Sequence, residues 1–256
     1  GVSLDIPGDI NDHQAIIINI LPNGNPTQTK YSIRVSTTAG GRIYYVMKDG
    51  SGNNILGDIE EKHTSEEWYN GGGGAYLQGL EPNKQYTVAA RAWNDAGIPT
   101  SYTVNPPSIY TRAKKPPAPI VPGPGTIDVT ENSIRMWINR PDGNPDYTEY
   151  ALYDVTTQRY VNHITGQLQS EKDWGTYSDW GGDSGRMVIG LNINSLHQFK
   201  TRARNRSQVE TNLSDNYAQR YTNCVVPDAP QLSLPVAQVS TTTYINVIDT
   251  TGNPSG

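Results

Sequence analysis

The sequence predicts an all-β chain: two complete β-sandwiches in tandem and the opening strands of a third. Three observations carry this. Short alternating apolar runs recur between Gly, Pro, Asn and Asp residues, and no long segment has the 3.6-residue period of a helix. The tripeptide Gly-Asn-Pro occurs three times, at Gly24-Asn25-Pro26, Gly143-Asn144-Pro145 and Gly252-Asn253-Pro254, each time after a β-branched run. Finally, the second half of the chain repeats the first with a period of about 110 residues, and from Leu80 onward at an offset of 111. Self-similarity at a period of this length belongs to tandem domains rather than to one fold.

In chain order, the run Ile16-Ile17-Ile18 reads as a strand that ends before the first Gly-Asn-Pro. Pro26, Pro145 and Pro254 fix φ and remove a ladder donor, so they are expected to stop that strand in each unit and open a turn. Thr29-Lys30-Tyr31 begins the next strand, as does Thr148-Glu149-Tyr150 in the second unit. The offset between the Gly-Asn-Pro copies is 119, so the first unit carries eight extra residues before Leu80. They are expected around Gly50 to Gly74, in a surface loop, because a buried loop would strand backbone polar groups. From Leu80 the register of 111 holds: Leu80 onto Leu191, Ala92-Trp93-Asn94 onto Ala203-Arg204-Asn205, and Tyr110-Thr111 onto Tyr221-Thr222. The expected domains are 1–115 and 116–226, with 227–256 supplying the first strands of an incomplete third. Two strands alone leave an apolar face bare. The third unit is therefore expected to be completed by further chain or by a strand donated from a neighbour.

The segment Leu80-x-Pro82-x-x-x-Tyr86-x-Val88-x-Ala90-x-Ala92-x-Asn94-x-x-Gly97, followed by Thr111 and the linker Pro116-Pro117-Ala118-Pro119, resembles the last strands of a fibronectin type III domain. The second unit repeats it more loosely, with Ile193 for the proline and His197 where the tyrosine would stand. Gly-Asn-Pro-x-x-Thr-x-Tyr, with Trp180-Gly181-Gly182 further on, is similar to a bacterial subgroup found in long secreted or cell-surface proteins. The resemblance implies immunoglobulin-like sandwiches in which Tyr86 points inward and its hydroxyl bonds nearby backbone. It also implies that His197 holds a similar bond in the second unit, with a titratable ring that acid could loosen.

Composition narrows the function. The net charge is −5 and the 20 Lys and Arg are scattered, so the basic stripe that a phosphate backbone requires is missing. No apolar stretch has the length of a membrane span. Cys224 is the sole cysteine, which excludes an intrachain disulfide and is expected to be a passive thiol. The four histidines have no ligand spacing, and neither a nucleophile elbow nor a phosphate loop is present. No catalytic residue, cofactor or metal ligand is therefore expected. Asp142-Gly143-Asn144-Pro145-Asp146 has oxygens at a spacing compatible with calcium, but the other copies of the turn lack the acids. The acidic pairs Glu60-Glu61 and Glu66-Glu67 read as a solvated loop.

The candidate contact residues are aromatic. Trp174, Tyr177 and Trp180 crowd one stretch of the second unit, and Trp68, Tyr69 and Tyr76 occupy the matching stretch of the first. Exposed, they would stack on glycan or on a protein surface. The matching positions of Trp68 and Trp180 also suit a packing role. The combined expectation is a non-enzymatic structural or adhesive repeat region of an extracellular surface assembly: a fibre, a surface layer or an appendage. Its partners would be copies of itself, other surface proteins or polysaccharide, with no nucleic acid. An accessory or carbohydrate-binding region of a secreted polysaccharide-degrading enzyme and a module of a phage tail or injection device are the alternatives, since this fold hosts many functions.

Overall fold

Alternation of buried and exposed residues builds each strand of the computed structural model, which describes residues 1–8, 13–37, 41–140, 143–228, 231–232 and 245–246. In the first unit β1 (Val2–Asp5), β2 (Ile16–Ile20) and β7 (Ala75–Leu77) pair antiparallel as one layer. The opposing layer runs β4 (Ile43–Lys48), β3 (Lys30–Thr37), β8 (Gln85–Trp93), β9 (Ser108–Tyr110). Strand β5 (Asn54–Gly57) joins the two along one edge: it pairs β4 antiparallel and touches β7 in parallel through Asn54 and Leu77. The short β6 (His63–Thr64) adds to β3. Ile16, Ile18 and Ile20 of β2 face Ile33 and Val35 of β3 and Tyr86 and Val88 of β8 across the core, while Ile17 and Asn19 lie on the outer face.

The second unit repeats the pattern. Strands β10 (Ser133–Met136) and β15 (Arg186–Ile189) form one layer. The other runs β13 (Leu168–Gln169), β12 (Arg159–Val161), β11 (Glu149–Asp154), β16 (Leu196–Arg204), β17 (Ala218–Tyr221), with β14 (Gly175–Thr176) added to β11. Its core holds Ile134, Met136, Tyr150, Leu152, Val188 and Phe199. A parallel bridge between Gln167 and Ile189 joins the layers at the place where β5 meets β7 in the first unit. Beyond it, Gln231–Leu232 (β18) and Ile245–Asn246 (β19) pair antiparallel. Pro254 and the third Gly-Asn-Pro lie outside the described residues.

The eight extra residues are not one insertion at Gly50 to Gly74. Arg34 faces Tyr45 eleven positions on, whereas the equivalent Tyr153 faces Tyr160 after seven. Tyr45 then faces Gly57 after twelve positions, and Tyr160 faces Gln169 after nine. Four extra residues therefore lengthen the β3–β4 connection and three the β4–β5 hairpin, leaving one between Trp68 and Leu80. Hairpin tips accept length without exposing core, so divergence collects there. The stretch before Leu80 is ordered instead. Helix α1 (Ser65–Tyr69) starts in a capping box, in which Glu67 N donates to Thr64 Oγ1 and Thr64 N to the Glu67 carboxylate. The acidic pairs are not merely solvated. Glu60 accepts from Ser32 Oγ, Arg91 and Tyr102, and Glu61 accepts from Lys48 N and contacts His63.

Candidate functional site: junction, corners and aromatic positions

A polar arrangement between the two units centres on the buried Asn83. This residue follows Pro82 in the turn before β8, has a left-handed φ of 48° and is fully buried. All of its side-chain polar atoms, and its carbonyl, meet the second unit. Its Nδ2 donates to Thr148 Oγ1 at 2.7 Å, its Oδ1 accepts from Arg206 N at 2.9 Å, and its carbonyl accepts from Tyr147 Oη at 2.6 Å. Its own N–H returns to the Arg112 carbonyl, which ties the turn to the start of the linker. Asn205 Nδ2 donates to the Thr111 carbonyl at 2.9 Å from the other side. Burial raises the Tyr147 phenol above its ordinary value, so it remains a donor.

The Gly-Asn-Pro turns now separate in role. In the first unit Asn23 and Gly24 both take positive φ, Asn25 N and Nδ2 donate to the Pro22 carbonyl, and Pro26 opens a turn closed by Thr29 N. In the second, Pro145 opens the equivalent turn closed by Thr148 N. There Asn144 is buried and behaves like a strand residue towards the linker. Its Oδ1 accepts from Lys114 N and its Nδ2 donates to the Lys114 carbonyl, both at 2.8 Å. Both described prolines begin turns, but β2 has already ended at Ile20, six residues before Pro26. Asp142 lies outside the described residues, and Asp146 pairs with Arg140 at 2.7 Å. Among the described residues no group of three His, Cys, Asp or Glu is placed to hold a metal.

The two corners use different chemistry. Tyr86 Oη accepts from Glu81 N at 3.0 Å, five residues upstream, and burial pushes the phenol up to about 12. His197 occupies the matching place but does not bond the upstream turn. Its Nδ1 meets Asp154 Oδ2 of β11 at 2.8 Å, both side chains fully buried. Asp154 is further held by Thr156 N and Thr157 Oγ1.

Trp68 and Trp180 present no face to solvent. Each is buried, and each donates its indole N–H at 2.9 Å to the carbonyl of the tyrosine that opens the strand after Gly-Asn-Pro, Tyr31 and Tyr150 respectively. At these two positions the ring lies inside the core and its N–H meets a backbone carbonyl, the packing arrangement rather than an exposed platform. Tyr69 Oη bonds both N and O of Ile20, replacing strand pairing where β7 has ended. Trp174 carries the Arg204 guanidinium over its ring at 4.6 Å, and Tyr177 carries that of Arg140 at 5.3 Å while donating to Asp183. Cys224 is exposed and free.

In the first unit three strands oppose four and the corner tyrosine points inward, the arrangement that the fibronectin type III resemblance implies. Two solved structures align with the chain. A two-domain fibronectin type III segment from chicken tenascin aligns with a TM-score of 0.44 at 11% identity, over 87% of this chain and 98% of that one. The FN1–FN3 domains of chicken CNTN1 align at 0.30 and 12%, over 83% of this chain and 61% of theirs. No family model matches the sequence. The chain is a tandem of fibronectin type III-like β-sandwiches. No helix among the described residues is long and apolar enough to cross a membrane.

Sequence reasoning missed Asn83 and Asn205. The signal was present: Asn83 repeats as Asn194, and Asn205 repeats Asn94, each at the offset of 111. A motif preserved between repeats reports the fold of each unit and equally the contact between units.

Proposed function

We propose that this chain is a non-catalytic structural or adhesive repeat region of an extracellular or cell-surface assembly, with domains at 1–115, 116–226 and 227–256. Its part in the assembly is to hold successive sandwiches at a set angle. The single observation that carries the reading is the junction on Asn83. Units joined by a flexible linker need no buried asparagine with three partners on the next unit, and inter-domain freedom is the default where such contacts are lacking. Removing one partner of a buried hydrogen bond costs about 1–3 kcal/mol, enough to keep the angle narrow. The far end of the second unit carries the same parts. Asn194 has a φ of 47° and its N–H returns to the Asn223 carbonyl, as Asn83 does to Arg112. That end is suited to seat a following unit, so the arrangement can extend head to tail.

Residual dipolar couplings test the reading on the full chain. One alignment tensor should describe both units, and Asn83→Ala should give two. Separate tensors in the unmutated protein would remove the basis for a spacer. Electron microscopy of native material addresses the assembly: ordered filaments or lattices are expected, and dispersed single particles count against it.

A further inference from the structure

A cleft of about 440 Å³ opens on the outer face of the first unit, within the size range of ligand pockets. Strand register builds its floor. Asp5, Ile17 and Tyr76 stand opposite one another across β1, β2 and β7, with Asn19 and Gln78 further along the same outer face. One wall is the tip of the β4–β5 hairpin, Gly52 to Asn54, the segment lengthened by three residues relative to the second unit. The other wall is the loop from Tyr69 to Gly74. Gly74 lies so close to β2 that a Cβ there would stand 2.4 Å from Asn19 Oδ1 and 2.6 Å from Ile17 Cγ2. In the second unit the shorter hairpin closes down instead. Gly166 sits against the Met187 carbonyl, 2.0 Å from where its Cβ would be, and its own carbonyl accepts from Ile189 N.

The lining has a definite chemistry. Amides dominate it, from Asn19, Asn53, Asn54, Asn70 and Gln78, beside the half-exposed ring of Tyr76. No lysine or arginine lines the cleft and Asp5 is its sole carboxylate, so an anion has no counter-charge there. Asn54 is 3% exposed and donates to the Trp68 carbonyl, but its buried Oδ1 meets no donor in the protein. A buried acceptor without a donor is costly, and it leaves the wall of the cleft at Asn54 polar. Amides that both donate and accept, set beside an aromatic face, match a ligand rich in neutral hydroxyls.

We propose that this cleft binds a neutral saccharide unit, as part of an oligosaccharide or polysaccharide. The role is separate from that of the junction, which lies at Asn83, so the two can fail independently. Isothermal titration of the full chain with cellohexaose, xylohexaose, mannohexaose and the anionic hexamer of galacturonic acid tests it. At least one neutral probe should bind at millimolar or lower concentration. Tyr76→Ala and Asn19→Ala should each weaken it about tenfold or more, while Tyr217→Ala, at an exposed position on the second unit, should leave it within about twofold. Amide shift mapping of the unmutated protein keeps the test sound if a variant unfolds: shifts at Asn19, Asn53 and Gln78 support the site. The proposal is overturned if no neutral probe binds at millimolar concentration, if the galacturonic hexamer binds more tightly than all of them, or if shifts and variants point elsewhere.

Discussion

The two units solve the same packing problem with the same indole and different corners. Trp68 and Trp180 each fill the core and each satisfy the carbonyl of the tyrosine that opens the strand after Gly-Asn-Pro. Tyr86 and His197 occupy one position but reach in different directions, the phenol along the chain to Glu81 and the imidazole across the sheet to Asp154. A core anchor whose partner is a backbone group can be kept through divergence, because every sequence supplies the carbonyl. A corner whose partner is chosen among side chains can be rebuilt once a carboxylate appears on the neighbouring strand. The Gly-Asn-Pro-x-x-Thr-x-Tyr motif and the tryptophan thus form one device, which runs from Gly24 to Trp68 in the first unit and from Gly143 to Trp180 in the second.

The sharpest way to break the comparison is to remove each indole. Trp68→Ala and Trp180→Ala should each destabilise their own unit by about 3–5 kcal/mol, the range for a buried tryptophan. Unfolding followed by amide signals unit by unit checks this, and a large loss in one unit with little in the other would end the claim of equivalence. The next test concerns the rebuilt corner. Asp154→Ala strands His197 in the core and leaves Thr156 N and Thr157 Oγ1 without their acceptor. Each buried polar group left without its partner costs about 1–3 kcal/mol, and the summed loss should appear in denaturant melts of the second unit alone.

Much of this fold was legible because repetition puts the same evidence on the page twice. The offset of 111 and the alternation in Ile16 to Ile20 or Leu196 to Arg204 fix strands and core without a structure. The placement of the extra residues was not legible, since between Tyr31 and Trp68 the two units share no motif to hold the alignment. Cross-strand register located the change in two hairpins instead. The matching positions of Trp68 and Trp180 already suited packing, but their carbonyl partners on Tyr31 and Tyr150 were not legible, because those contacts span 37 and 30 positions of sequence. The cleft depends on hairpin length and on the close approach at Gly74, neither of which composition reveals.

Acid distinguishes the units by a smaller margin. Burial pushes Glu60 upward, but the hydrogen bonds from Arg91, Ser32 and Tyr102 outweigh it, so the carboxyl sits below its ordinary value of 4.5. A carboxylate depressed on folding contributes stability that is fully present above the unfolded value and is lost as pH falls through the folded one. The first unit should therefore keep its melting temperature from about pH 7 to 5 and lose part of it below about pH 4. Glu60→Gln should flatten that loss while lowering stability at neutral pH. Equal melting of the unmutated first unit at pH 3 and pH 6 would contradict the account of Glu60.

The mildest expected effect sharpens the contrast between corners. Tyr86→Phe removes one acceptor and leaves the ring packed against Ile16, Val35 and Val88 within the same core. Glu81 N lies near the surface, so water can take over part of the lost bond, and the cost should be about 0.5–1.5 kcal/mol. That figure is well below the expected loss for Asp154→Ala, although both substitutions break one corner. The difference arises from what is left behind: a backbone N–H within reach of water in the first unit, and a fully buried imidazole without its carboxylate in the second. Equal losses would mean that the corner acts through packing alone, and the exchange of tyrosine for histidine would then carry no separate chemistry.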